Sequence, residues 1–173
     1  MIELFLTRHG ETVENRKRVL QGHLPGQLTV EGIRQAEQLR ERLKGFPFDV
    51  VLSSDLKRCI DTAHIALRGR EAVIETLPIL REMDWGSITG KRIEEINFRQ
   101  FPDDVETKEQ LFERAAQFVD YLKAHYDGLR VLVFGHGMIN RSIEANIRHV
   151  PIYQIRSVSK MNNAEVRRFF IYE

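Results

Sequence analysis

The sequence predicts an α/β layered fold on a mostly parallel sheet. Apolar runs rich in β-branched and aromatic residues, at Ile2 to Thr7, Val50 to Ser53, Ala72 to Thr76 and Val131 to Phe134, alternate with segments of helical period. Alternation of that kind marks strands joined by helical crossovers, which line up in parallel. Two of these runs lead into a histidine followed by glycine: His9-Gly10 after the first and His136-Gly137 after the last. Ligands of open parallel sheets gather outside the carboxyl ends of the strands, so both histidines are expected at one site.

Each element has a local reason. Ile2-Glu3-Leu4-Phe5-Leu6 reads as a buried strand. Successive strand residues point to opposite faces, so Arg8 and His9 share a site only once the strand has ended, and Gly10 supplies that turn. Thr29 is a candidate N-cap for a helix with the apolar stripe Ile33, Ala36, Leu39 and Leu43, ended by Gly45 and Pro47. After the strand at Val50, a helix beginning near Asp55 sets Arg58 and Thr62 one turn apart on one face. Ala72 to Thr76 is the third strand. The stretch Ser87 to Glu106 is the least regular, broken by Pro102-Asp103-Asp104, with a short helix expected around Arg92 to Phe98. Thr107 and Gln110 form a capping box ahead of Leu111, Ala115, Phe118 and Leu122. The strand at Val131 follows, and Glu165 to Tyr172, with no helix after it, is expected to close one side of the sheet.

With 173 residues the chain has the size of one domain with a real core. Hydrophobic content of 42% and charged content of 29% are ordinary for a soluble protein, and a net charge of +1 points to neither nucleic acid nor an acidic membrane as partner. Cys59 is the single cysteine, so no internal disulfide forms and a reducing, cytoplasmic setting is expected. It reads as a small buried side chain, and the position where a cysteine-dependent phosphatase would carry arginine holds Ile65. No run approaches the length of a membrane span, and no repeat or linker is visible. Oligomeric state is not legible.

Placing a guanidinium beside an imidazole costs both groups solvation, and the partner that suits both is a phosphate. A phosphate monoester requires a nucleophile in line with the leaving oxygen, donors for the equatorial oxygens, and an acid for the departing alkoxide. The sequence has no His-Glu-x-x-His, paired cysteines or Asp-rich run, so no metal and no other cofactor is expected.

Arg8-His9-Gly10-Glu11-Thr12 with Asn15, then Gln21-Gly22, Leu28-Thr29, Gly32, Gln35 and Ala36 form the first half of an ordered motif set. Ser53-Ser54-Asp55-Leu56-Lys57-Arg58 with Thr62, Arg81-Glu82, Gly86, Gly90-Lys91 and His136-Gly137 complete it. On this set the chain resembles the histidine phosphatases, the superfamily that includes phosphoglycerate mutases. The resemblance implies a three-layer α/β/α, phosphoglycerate mutase-like domain over residues 1–173, with a short cap at about 87–106 and an antiparallel last strand.

It also implies the roles. His9 becomes the nucleophile and forms a phosphohistidine; Arg8, Arg58 and His136 complete a two-arginine, two-histidine pocket; Glu82 is the acid for the leaving group. Asn15, Gln21, Gly22 and Gly137, together with the two arginines, match substrate-binding positions. Thr62 is expected to pack beside the site or hydrogen-bond to it. A solvated helix charge is the plain alternative for Arg58, and a surface pair with Arg81 for Glu82. Trp85 reads either as an apolar wall of the site or as simple packing. His23, His64, His125 and His149 match nothing in the set, and Lys91, Arg92 and Arg99 read as a solvated charged face. Relatives often carry glutamate where this chain has Thr89, which bears on substrate orientation more than on the core reaction.

The function implied is a metal-independent phosphomonoesterase acting on a small phosphorylated substrate. Phosphoglycerate mutase-type transfer, and a non-catalytic phosphate- or protein-binding module on the same fold, are the alternatives. An α-ribazole phosphate, a sugar phosphate, a phosphoglycerate and a protein phosphohistidine all remain open as substrates.

Overall fold

The computed structural model describes all 173 residues. Five strands, β1 (Ile2–Arg8), β2 (Val50–Ser53), β3 (Ile74–Thr76), β4 (Arg130–Gly135) and β5 (Val166–Ile171), form one sheet in the order β3-β2-β4-β1-β5. All neighbours are parallel except β5, which runs antiparallel to β1. The helices are α1 (Val13–Lys17), α2 (Val30–Leu43), α3 (Lys57–Ala66), α4 (Lys108–His125) and α5 (Gly137–Ile147).

Side-chain alternation along the strands sorts the core into two layers. Leu4, Leu6, Val131 and Val133 face α4 and α5, where Leu111, Ala115, Phe118, Leu122, Ile139 and Ile143 pack. Phe5, Val51, Leu132 and Phe134 face α2 and α3, meeting Leu39, Leu43, Cys59, Ala63 and Ala66. This is the expected three-layer α/β/α arrangement. Phe118 is wholly buried, and truncating it to alanine would cost about 3–5 kcal/mol.

Both anticipated caps form: Thr29 Oγ1 accepts from Gly32 N at 2.9 Å, and Thr107 and Gln110 make a reciprocal capping box. The α2 stripe differs by one residue. Ile33 is 39% exposed, and the buried face runs Gly32, Ala36, Leu39, Leu43. A Cβ at Gly32 would lie 2.1 Å from the Glu11 carbonyl oxygen, so that contact is available to glycine alone and sets the rotation of the helix.

Two other expectations are corrected. The third strand is only Ile74–Thr76, with Ala72 and Val73 exposed ahead of it. In place of a helix over Arg92 to Phe98 there is one 3-10 turn, Ile93–Glu95. The chain leading into it is tied to the loop after α1: Gly90 N donates to Leu20 O, Leu20 N to Lys91 O, and Ile93 N to Arg18 O. Those bonds hold Arg92 extended after the turn at Gly90.

Strand register places the functional ends in step. Arg8 pairs with Gly135 and Ser53 with Phe134. The residues that follow, His9, Ser54 and His136, therefore emerge side by side at the carboxyl edge of the sheet.

Candidate active site

His9 leaves β1 and is held from all sides. Its N–H donates to Gly135 O, and its carbonyl accepts from Ala164 N at 3.0 Å and from Asn163 Nδ2 at 3.2 Å. Its Nδ1 lies 2.7 Å from Gly10 O. A carbonyl can only accept, so Nδ1 carries the proton and Nε2 keeps its lone pair. Gly10 N in turn donates to Thr62 Oγ1, whose hydroxyl donates to Arg58 O, so Thr62 braces the turn as expected.

The ring of His9 is buried, and burial first, then the cations Arg58 and Arg8, hold its pKa well below the ordinary value of 6.5. His136, also fully buried, is held well below 6.5 by burial, Arg58 and His9. Both rings are neutral at neutral pH. The His136 Nε2 lies 2.8 Å from Ser54 Oγ and 3.4 Å from Cys59 Sγ. Cys59 itself is inert packing, its thiol pushed up to about 12 chiefly by burial.

Arg58 is 1% exposed, which disposes of the solvated-charge alternative. Its Nη1 and Nη2 donate to the carbonyls of Leu24 and Gly22, the latter at 2.8 Å. Arg8 Nη1 donates to Met161 O at 2.8 Å. The Nε of each guanidinium is buried and meets no hydrogen-bond partner. Buried donors of that kind are rare in folded proteins, and two of them on cations beside His9 are what an anion would satisfy.

Glu82 is not paired with Arg81, which instead forks onto Asp55 at 2.7 and 2.6 Å. Its Oε1 accepts from Met83 N and Ile139 N, and its Oε2 from Met138 N, at 2.9–3.0 Å. The carboxylate thus sits on the amino end of α5, where the unpaired amides and the helix dipole favour negative charge. Gly137 occupies the first position of that helix, and a Cβ there would lie 3.3 Å from Arg8 Nε.

The remaining expected binding residues are engaged within the protein. Asn15 Oδ1 accepts from Thr12 N and from Asn163 Nδ2, and the residue completes a capping box for α1. Gln21 Oε1 accepts from Thr12 Oγ1 at 2.9 Å. Gly22, at φ +50°, gives its carbonyl to Arg58. Trp85 packs in the core, edge-on to Phe101. Lys91, Arg92 and Arg99 are exposed, as are His64, His125 and His149.

Sequence reasoning missed four groups at this site: Ser54 as a partner of His136, Asn163 behind His9, and His23 and Arg114, which both donate to Glu82 O. Only Ser54, inside the Ser-Ser-Asp-x-x-Arg frame, carried a signal. The loop that holds Thr89 in place of glutamate is organised by Asp104, which accepts from Ser87 N and Oγ, and by Glu106, which accepts from Asp84 N.

The histidine phosphatase superfamily (branch 1) model matches residues 4–173. The chain is 29% identical over 182 residues to the probable phosphoglycerate mutase GpmB of Proteus mirabilis, covering 97% of this chain and 84% of that protein. It is 30% identical over 164 residues to the adenosylcobalamin/alpha-ribazole phosphatase of Salmonella typhimurium, covering 87% and 81%. The structure of the alpha-ribazole phosphatase from Shigella flexneri superposes with a TM-score of 0.91 at 25% identity, covering 99% of this chain and 91% of that one. A motif set spread along the chain, a family match over nearly its whole length and the shared fold agree: the chain belongs to the histidine phosphatase superfamily.

Proposed function

We propose that the protein is a metal-independent phosphomonoesterase that acts on a small phosphorylated metabolite through phospho-His9. The observation that carries this is the pair of buried, unpartnered guanidinium Nε groups of Arg8 and Arg58 beside a neutral His9 whose Nε2 lone pair is free. The two cations take the equatorial oxygens, and His136, its ring 5.3 Å from that of His9, adds a further polar contact. Nε2 attacks phosphorus, the bond to the ester oxygen breaks, and that oxygen takes a proton from Glu82. Water then attacks phospho-His9 and releases phosphate, with Glu82 drawing off the proton.

Glu82 must be protonated for the first step. Oε2, with one amide donor against two on Oε1, is the oxygen with room for that proton. The segment 87–106 would serve as a short cap of a single domain and leave the intermediate open to water. Gln21, Gly22 and Asn15 act by shaping the pocket around Thr12 and Arg58, and Gly137 offers its amide to the phosphate. The cytoplasm is the proposed location; no helix is long and apolar enough to cross a membrane.

Mutase-type transfer would use the same residues and is favoured only by the names of relatives such as GpmB. The deciding experiment is a phosphatase screen over phosphorylated metabolites in EDTA, with acid-quench trapping of the phosphoenzyme. Turnover with label on the wild-type chain and none on His9→Ala is expected. Substantial activity in His9→Ala, or activity lost to EDTA and restored by a divalent ion, would overturn the proposal.

A further inference from the structure

One turn reaches both the phosphate clamp and the acid. Residues Gln21 to Leu24 close on themselves through Leu24 N donating to Gln21 O at 2.9 Å. From this turn the Gly22 and Leu24 carbonyls grip the two Nη atoms of Arg58. Between them the His23 ring points the other way, with Nε2 3.0 Å from the carbonyl oxygen of Glu82. A carbonyl only accepts, so Nε2 carries a proton and donates. Nδ1 faces Asp84 Oδ2 at 3.9 Å.

Glu82 is therefore held at both ends. Amides at the start of α5 bind its carboxylate, and His23 binds its backbone, helped by a longer contact of 3.4 Å from Arg114 Nη2. Arg114 divides its other bonds among Arg81 O, Ile79 O and Glu106, so it anchors the whole 79–82 stretch. His23 supplies a hydrogen bond from Glu82 to the turn that grips Arg58, and Gly22 of that turn lies against Met83 and Trp85 just beyond. The ring also forms part of the wall of an open cleft of about 550 Å³ shared with Arg81, Asp84 and Arg114, and its 3.0 Å bond is the shorter of the two to the Glu82 carbonyl.

We propose that His23 is a positioning residue that fixes the distance between the Arg58 clamp and the Glu82 carboxyl through its Nε2–H bond to Glu82 O. This rests on Glu82 being the leaving-group acid. A proton donor displaced by a fraction of an ångström loses much of its effect on a poor leaving group and little on a good one.

The test compares kcat/KM for phenyl phosphate and p-nitrophenyl phosphate in the wild-type protein, His23→Leu, His23→Gln and Glu82→Gln, each checked by thermal melting. Glutamine can place an amide N–H near the position of Nε2; leucine has no donor. His23→Leu is expected to lose about tenfold more on phenyl phosphate than on p-nitrophenyl phosphate, with inhibition by inorganic phosphate unchanged. His23→Gln should recover most of the difference. Should His23→Leu fail to fold, His23→Gln against His23→Asn, whose amide stops short of Glu82, carries the same comparison.

Equal losses on both esters, no loss, or a glutamine variant no better than leucine would overturn the positioning role while Glu82→Gln remains leaving-group dependent. If Glu82→Gln itself loses equally on both esters, the acid assignment fails and the proposal fails with it.

Discussion

The imidazoles of His9 and His136 stand edge to face, their centroids 5.3 Å apart and their planes at 61°, each buried and each beside Arg58. Two neutral rings tolerate that approach; two imidazolium ions beside a guanidinium would not.

The pH dependence of stability follows. Both histidines have native pKa values well below 6.5, so the unfolded chain binds more protons as pH falls through about 6.5. Their contribution is intact above 6.5 and erodes below it, with a limiting slope of about 1.4 kcal/mol per pH unit for each ring. Urea unfolding at pH 7.5, 6.5 and 5.5 checks it. His136→Asn, which removes one titrating ring, should flatten the profile.

Arg58→Ala removes a desolvated donor and also frees the Gly22 and Leu24 carbonyls. A loss on the order of 2–4 kcal/mol in kcat/KM is expected, with weaker inhibition by inorganic phosphate. Lysine, lacking the fork that spans both carbonyls, should rescue little. Steady-state kinetics with p-nitrophenyl phosphate would expose a near-silent substitution.

Gly32→Ala forces a methyl group against the Glu11 carbonyl, two residues from His9. That oxygen is backbone, so helix and loop must separate, at a cost of about 1–3 kcal/mol and a Tm lower by roughly 3–10 °C. Thermal melting measures it, and a loss of activity beyond the loss of fold would show that α2 sets the pose of the His9 turn.

The partition of phospho-His9 separates hydrolysis from transfer. With 3-phosphoglycerate and trace bisphosphoglycerate, free phosphate should account for nearly all turnover. Accumulation of 2-phosphoglycerate well above phosphate release would put mutase chemistry first.

By itself the sequence determined what depends on near neighbours. Strand periodicity, the caps at Thr29 and Thr107, and the histidine-glycine pairs all express preferences within a few residues; the caps and the first, second and fourth strands appear where expected, and the third is shorter at its start. The order of motifs carried the family, because Arg8, His9, Arg58, Glu82 and His136 keep their chemistry wherever the chain takes them. Tertiary structure decided what depends on pairing across the chain. The Glu82 carboxylate takes two α5 amides 56 and 57 positions away, and His23 and Arg114 both donate to its carbonyl. Asn163 reaches His9 across 154 positions. The helix expected at Arg92 gave way to bonds with Arg18 and Leu20, and the α2 stripe turned onto Gly32 because a backbone oxygen occupies the space of its missing side chain. Such contacts depend on the geometry of two distant segments at once, so no window of sequence contains them.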